Sequence, residues 1–123
     1  MTASPAPITP PQRDIVIWRG DNEPAVKWCF GDASTPDLLA GSEFELTVRW
    51  AGAGADMVLR SEDPVTTLTV DVSARTVAWA YTAGESLELP RGVHSYELRR
   101  VIGDRRRTWV WGTLSVMSGL RRD

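Results

Sequence analysis

The sequence predicts an all-β fold, a single β-sandwich domain, and three observations carry that expectation. Short runs rich in Val, Ile, Thr, Phe, Tyr and Trp recur along the chain. Gly, Pro, Asp and Asn punctuate the intervals between them. Within the runs, apolar and polar residues alternate with the period of two that places one face of a strand on a core. The length of 123 residues suits one domain with one core. Hydrophobic content of 42% and charged content of 24% place the chain among ordinary globular domains rather than disordered ones. A small barrel with the same strand count stays open at this level.

Residues 1–13 differ from the rest. They hold four of the eight prolines (Pro5, Pro7, Pro10 and Pro11) and one large apolar residue, Ile8. Proline fixes φ and removes a donor, so the expectation is an extended N-terminal arm, either a flexible tail or, the favoured reading, one laid along a neighbour. The sandwich domain then spans 14–117, and 118–123 form a short C-terminal tail.

The strands follow in order. Asp14–Trp18 is rich in β formers and runs into the turn Arg19-Gly20-Asp21-Asn22. Ala25–Phe30 turns Val26, Trp28 and Phe30 to one side. Gly31–Gly41 reads as a loop. Glu43–Trp50 sets Phe44, Leu46, Val48 and Trp50 against Glu43, Glu45, Thr47 and Arg49. Asp56–Arg60 is a short strand, and Val65–Val72 points Leu68, Val70 and Val72 inward. Thr76–Tyr81 shares one face among Val77, Trp79 and Tyr81. Ala83–Leu89 is the one helical stretch, stopped by Pro90. Val93–Ile102 and Arg106–Met117 close the domain as a hairpin over Gly103-Asp104. The inward faces give an expected core of Trp28, Phe30, Phe44, Leu46, Val48, Trp50, Leu68, Val70, Trp79, Tyr96, Leu98, Val110, Leu114 and Val116.

In the last strand, Val110, Leu114 and Val116 fall on one face and Trp109 and Trp111 on the other. With the first set in the core, the tryptophans are free for a second protein surface, where Trp is favoured. Trp18, Trp109 and Trp111, with Ile8 in the arm, are therefore the candidate partner contacts. Arg105, Arg106 and Arg107 crowd the hairpin tip and join that set. The net charge of −2 argues against nucleic acid as their partner.

Chemistry is sparse. The one histidine, His94, sits beside Ser95 in a strand, so the two face opposite ways and cannot pair as base and nucleophile. The one cysteine, Cys29, excludes an intrachain disulfide and a Cys-rich zinc site. No calcium-loop or zinc-helix spacing occurs. Arg19-Gly20-Asp21 matches the tripeptide of integrin ligands, but Gly and Asp are ordinary turn formers. No catalytic, metal-binding or cofactor-binding residue is expected, and no cofactor. No stretch reaches the ~18 apolar residues of a membrane span, and the N-terminus has no signal-peptide pattern.

Several features, in this order, resemble one group of tailed-phage virion proteins, those with the immunoglobulin-like β-sandwich of the baseplate upper protein N-terminal domain. Asp14–Asp21 resembles the opening strand that runs into Arg-Gly-Asp. Asp37-Leu38-Leu39-Ala40-Gly41 before Phe44–Arg49 resembles, in lengthened form, an Asp-Leu-Thr-Gly turn before a strand ending in Arg. Gly92-Val93-His94-Ser95-Tyr96-Glu97-Leu98 matches a Gly-x-Tyr-x-Tyr-Asp-Leu strand with His94 and Glu97 substituted, and Gly112–Val116 matches the closing Gly-x-x-x-Val. The resemblance covers about residues 14–117. It implies an immunoglobulin-like sandwich serving as a non-enzymatic structural or adaptor subunit of a phage or phage-like particle: baseplate, tail-fibre anchor, head fibre or head decoration. The implied partners are other structural subunits of that particle, in a homo-oligomer or symmetric array, with neither nucleic acid nor membrane. The implied location is the virion, after synthesis in a bacterial host cytoplasm. The alternative is a free carbohydrate- or protein-binding β-sandwich module.

Overall fold

A computed structural model describes residues 10–52 and 54–118. The elements are β1 (Ile15–Trp18), β2 (Val26–Cys29), β3 (Glu43–Arg49), β4 (Met57–Arg60), β5 (Leu68–Asp71), β6 (Thr76–Trp79), α1 (Ala83–Glu88), β7 (Gly92–Ile102) and β8 (Arg105–Met117). They form a five-stranded sheet in the order β1-β8-β7-β3-β4 and a three-stranded sheet in the order β2-β6-β5. The chain is thus an all-β sandwich. Its β2-β6-β5 and β8-β7-β3 orders are those of the two sheets of an immunoglobulin-type fold, with β1 placed at the outer edge of β8. Pairing is antiparallel except for β1, which runs parallel to β8.

The core lies between the sheets. Trp28, Phe44, Leu46, Val48, Leu68, Val77, Trp79, Leu98 and Leu114 are almost wholly buried. Trp28 of β2 meets Tyr96 of β7 across the sandwich with ring centroids 6.1 Å apart. Immunoglobulin domains tie the same two strands with a disulfide; here aromatic packing holds them. Ile15, Ile17, Leu39 and Leu89 join the core beyond the expected set, because β1, the loop before β3 and the end of α1 each close one side.

Three expected core residues, Phe30, Trp50 and Val70, are only half-buried. Trp50 falls one residue past β3, where its ring stands edge-on to His94 at 5.0 Å. Val72 is exposed, since the β5–β6 pairing ends at Asp71 and Thr76. Val65 is 86% exposed. Asp63 takes the backbone N–H of Val65 on its carboxylate and that of Thr66 on its carbonyl, so turn chemistry overrides the β propensity of Val65.

The helix has a capping box. The Thr82 hydroxyl accepts the N–H of Glu85 at 3.0 Å, and the Glu85 carboxylate accepts the N–H of Thr82 at 3.0 Å. Pro90 ends it. Ser86, fully buried, bonds from its Oγ to the Asp21 carbonyl and accepts the Gly20 N–H.

One irregularity changes the reading of β8. Leu98 pairs with Val110 but Arg99 pairs with Thr108, so Trp109 is an extra residue in a β-bulge. The bulge turns Trp109 to the same side as Val110, against Phe30 and Phe44 at 5.0 and 5.6 Å. Trp109 and Trp111 therefore lie on opposite sides of the sheet.

Replacing Trp79, 1% exposed, by alanine is expected to cost about 3–5 kcal/mol in denaturant melts. Replacing half-buried Trp50 should cost clearly less, about 1–2 kcal/mol. Equal losses at both positions would refute the placement of Trp50 outside the core.

Candidate functional site

The outer face of the five-stranded sheet carries the apolar surface. Side chains alternate along each strand, so pairing aligns them in rows: Val16 with Ser115 and Val93, and Trp18 with Met117. Val16 is 59% exposed, Trp18 43%, Val93 60% and Met117 43%. Four large apolar side chains thus share one end of an open sheet face, whereas scattered single ones would need no explanation. Trp111 lies on the same face, six positions from Met117 along β8 and so roughly 20 Å away.

Beside Trp111, toward β3, is a shallow hollow of about 340 Å³ lined by Thr47, Arg49, Ser95, Glu97, Trp111 and Thr113 among others. Its charges already have neighbours in this chain. Glu97 pairs with Arg99 at 2.5 Å, and Arg49 with Asp56 at 3.7 Å. The hollow offers hydroxyls and one indole, with no base aligned on a nucleophile.

Residues 10–13 lie along β8 of their own domain, which corrects the expectation that they reach a neighbour. The Trp111 N–H donates to the Pro11 carbonyl at 3.2 Å, and the Arg13 N–H to the Trp111 carbonyl at 2.9 Å. The Trp111 indole N–H reaches the Pro10 carbonyl at 3.0 Å. Gln12 bridges Trp111 with the same parallel offset that later pairs Ile15 with Leu114. The folded region therefore includes residues 10–13, ahead of the expected boundary at 14. Ile8 lies outside the described residues.

Two further residues receive this segment, and neither stood out as functional in the sequence. The Arg13 carbonyl passes so close over Gly112 that a Cβ there would lie 2.2 Å from its oxygen. Tyr96 donates its hydroxyl to the same carbonyl at 2.6 Å, and burial pushes its pKa up. A glycine within a run of strong β formers signals such a close backbone approach. Beside it, Asp14 accepts the Thr113 N–H at 3.0 Å and a side-chain N–H of Gln12 at 3.3 Å. The Thr113 backbone bond, then the Gln12 bond, holds the Asp14 carboxyl below its usual range. The Arg13 guanidinium bonds the Lys27 carbonyl and so reaches the other sheet.

Of the expected contact residues, Trp18 and Trp111 share the outer face. Trp109 does not join them. Arg105, Arg106 and Arg107 are exposed at the far tip of the hairpin. Arg19-Gly20-Asp21 is a fixed turn: Arg19 donates to the Leu87 carbonyl at 2.6 Å, and Ser86 holds Gly20 and Asp21. His94 is buried while Ser95 is exposed, as the strand alternation required. Its Nδ1 accepts the Ala51 N–H at 3.0 Å, so Nε2 carries the proton and donates to the Pro90 carbonyl at 2.7 Å. His94 is a strut between two loops. Cys29 is exposed on β2. Among the described residues no three His, Cys, Asp or Glu side chains converge on a metal-sized site, and no helix is long and apolar enough to cross a membrane.

No protein-family model matches this sequence, and no curated protein matches it. Among solved structures the chain is similar to glycoprotein D of Equine Herpesvirus Type 4, with 10% identity, a TM-score of 0.35, and coverage of 97% of this chain and 59% of that one. The chain thus spans about six tenths of the length of that glycoprotein chain.

Two outcomes test the docking of residues 10–14. Gly112→Ala should release the segment, seen as rapid amide exchange at Arg13 with the core amides of Leu46 and Leu98 still protected. Acidification should loosen it as well. Because the folded pKa of Asp14 is lowered, its contribution is present above the ordinary value of 3.8 and is lost as pH falls through the lower folded value. Exchange protection at Thr113 should fall over that acidic range in the wild type, while Asp14→Asn should lack the transition.

Proposed function

We propose that this chain is a non-enzymatic structural or adaptor subunit of a phage or phage-like particle, such as a baseplate, tail-fibre anchor, head fibre or head decoration. The observation that carries the reading is the exposed apolar end of the outer sheet face, formed by Val16, Trp18, Val93 and Met117. A rigid sheet presenting branched and aromatic side chains needs little reordering to bind, which suits a permanent subunit contact. The ordered series of motifs from Asp14 to Val116 supplies the particle class. Its partners in this reading are other structural subunits, in a homo-oligomer or symmetric array, and its location is the particle.

The reading is tested by expressing a tagged chain in cells that produce the particle and sedimenting the lysate on a density gradient. The wild-type chain should travel with particles at a fixed ratio to the other structural proteins. Val16→Lys with Val93→Lys places two charges at the centre of the face, at positions whose side chains are mostly in solvent. This variant should keep its circular dichroism spectrum and melting temperature, and its particle-bound fraction should fall by about tenfold or more. A wild-type chain that stays at the top of the gradient overturns the assignment. So does a folded double variant that is incorporated normally.

A further inference from the structure

The structure assigns a second site to the turn end of the β7–β8 hairpin: a cleft that binds an acidic protein segment, an extended stretch of carboxylate side chains interspersed with apolar ones. The bulge at Trp109 creates it. Beyond the bulge, Arg107 pairs with Arg100 and Arg105 with Ile102. These side chains therefore continue the inner side of the sheet past Phe44, where the core stops. The result is a cleft of about 540 Å³ lined by Arg100, Ile102, Arg105, Arg106, Arg107 and Trp109.

Its floor is rigid. Trp109 is wedged against the rings of Phe30 and Phe44, and the Arg100 guanidinium lies over the indole, 4.9 Å from its centre. Arg100 donates Nε–H to Ser42 Oγ at 2.7 Å and an Nη2–H to the Leu38 carbonyl at 3.5 Å. Two of its five donors are thus used and the others remain for a ligand. Above this floor Arg105, Arg106 and Arg107 are exposed, and Ile102 offers an apolar contact at 44% exposure.

The carboxylates close to this end do not neutralise it. Glu97 is held by Arg99 at 2.5 Å and by the Thr108 hydroxyl at 3.3 Å. Asp104 lies in the turn itself. Among the described residues, no ion pair involves Arg100, Arg105, Arg106 or Arg107. Arg100, Arg105 and Arg107 share the inner side of one cleft, which Arg106 also lines, in a chain whose overall charge is −2. Guanidinium forks recognise carboxylates in bidentate fashion, and apolar side chains between them would rest on Ile102.

Nucleic acid fits less well. Sequence-tolerant binding of single strands uses free aromatic faces for stacking, whereas Arg100 covers the face of Trp109.

Fluorescence anisotropy with the full chain tests the cleft, using as probe a fluorescein-labelled Glu-Leu-Glu-Glu-Leu-Glu peptide. Controls are the same peptide with Gln for Glu and a labelled single-stranded oligothymidine. Saturable binding of the acidic peptide is expected, weakening as salt rises, with no binding of the Gln peptide. Arg105→Gln with Arg107→Gln should weaken it about tenfold at an unchanged melting temperature, and the Lys pair at the same positions should fall between. Absent binding, equal binding by the Gln pair, or tighter binding of the oligothymidine overturns the site. The site stands apart from the particle assignment: a chain that enters particles but ignores the peptide refutes the cleft alone.

Discussion

The antiparallel pairing of β7 with β8 sets the register for the whole five-stranded sheet. β3 aligns on one side of the hairpin through Leu46 with Leu98, and β1 on the other through Ile15 with Leu114. The bulge at Trp109 divides the hairpin in two. On the body side, Val110, Leu114 and Val116 face the core. On the tip side the alternation has slipped by one, and arginines occupy the inner positions. One extra residue thus converts a strand that would have shown two tryptophans outward into one that seals the core with the first and leaves the second on the surface.

The positions of all eight strands and the helix were legible in the sequence, because apolar alternation and Gly, Pro and Asp turns agree with each other through most of the chain. Glu43–Arg49 illustrates this: its strict alternation reappears as buried Phe44, Leu46 and Val48. What alternation cannot register is an insertion in the ladder, which is why Trp109 was placed on the wrong side. Nor does it reveal that a proline-containing segment is compatible with a sheet edge, where missing donors cost nothing. Pro10 and Pro11 use only their carbonyls, and Trp111 supplies both donors. The structural role of His94 was likewise hidden, because one backbone group it ties is 43 residues away and the other lies in the turn before β7.

The two surfaces of interest sit at opposite ends of the same hairpin. The apolar group of Val16, Trp18, Val93 and Met117 gathers where β1 and β8 finish, and the arginine cleft opens where β7 turns into β8. The difference in chemistry follows from position. At the first end three strands lie side by side and present adjacent outward positions, so neighbouring apolar residues merge into a patch. At the second end β1 no longer flanks β8, although β3 follows β7 as far as Val101, and charged side chains there protect the bare edge of β8 from pairing with another sheet.

The parallel pairing of β1 with β8 also orders events in time. Asp14 and Thr113 are 99 residues apart in the chain. Closing so long a loop is entropically more demanding than closing the β7–β8 turn, so the hairpin is favoured to form before the first strand docks. During synthesis β1 emerges before β8 and must wait for it. Until β8 leaves the ribosome, the inward residues Ile15 and Ile17 have no strand beside them, and the apolar edge they present stays exposed.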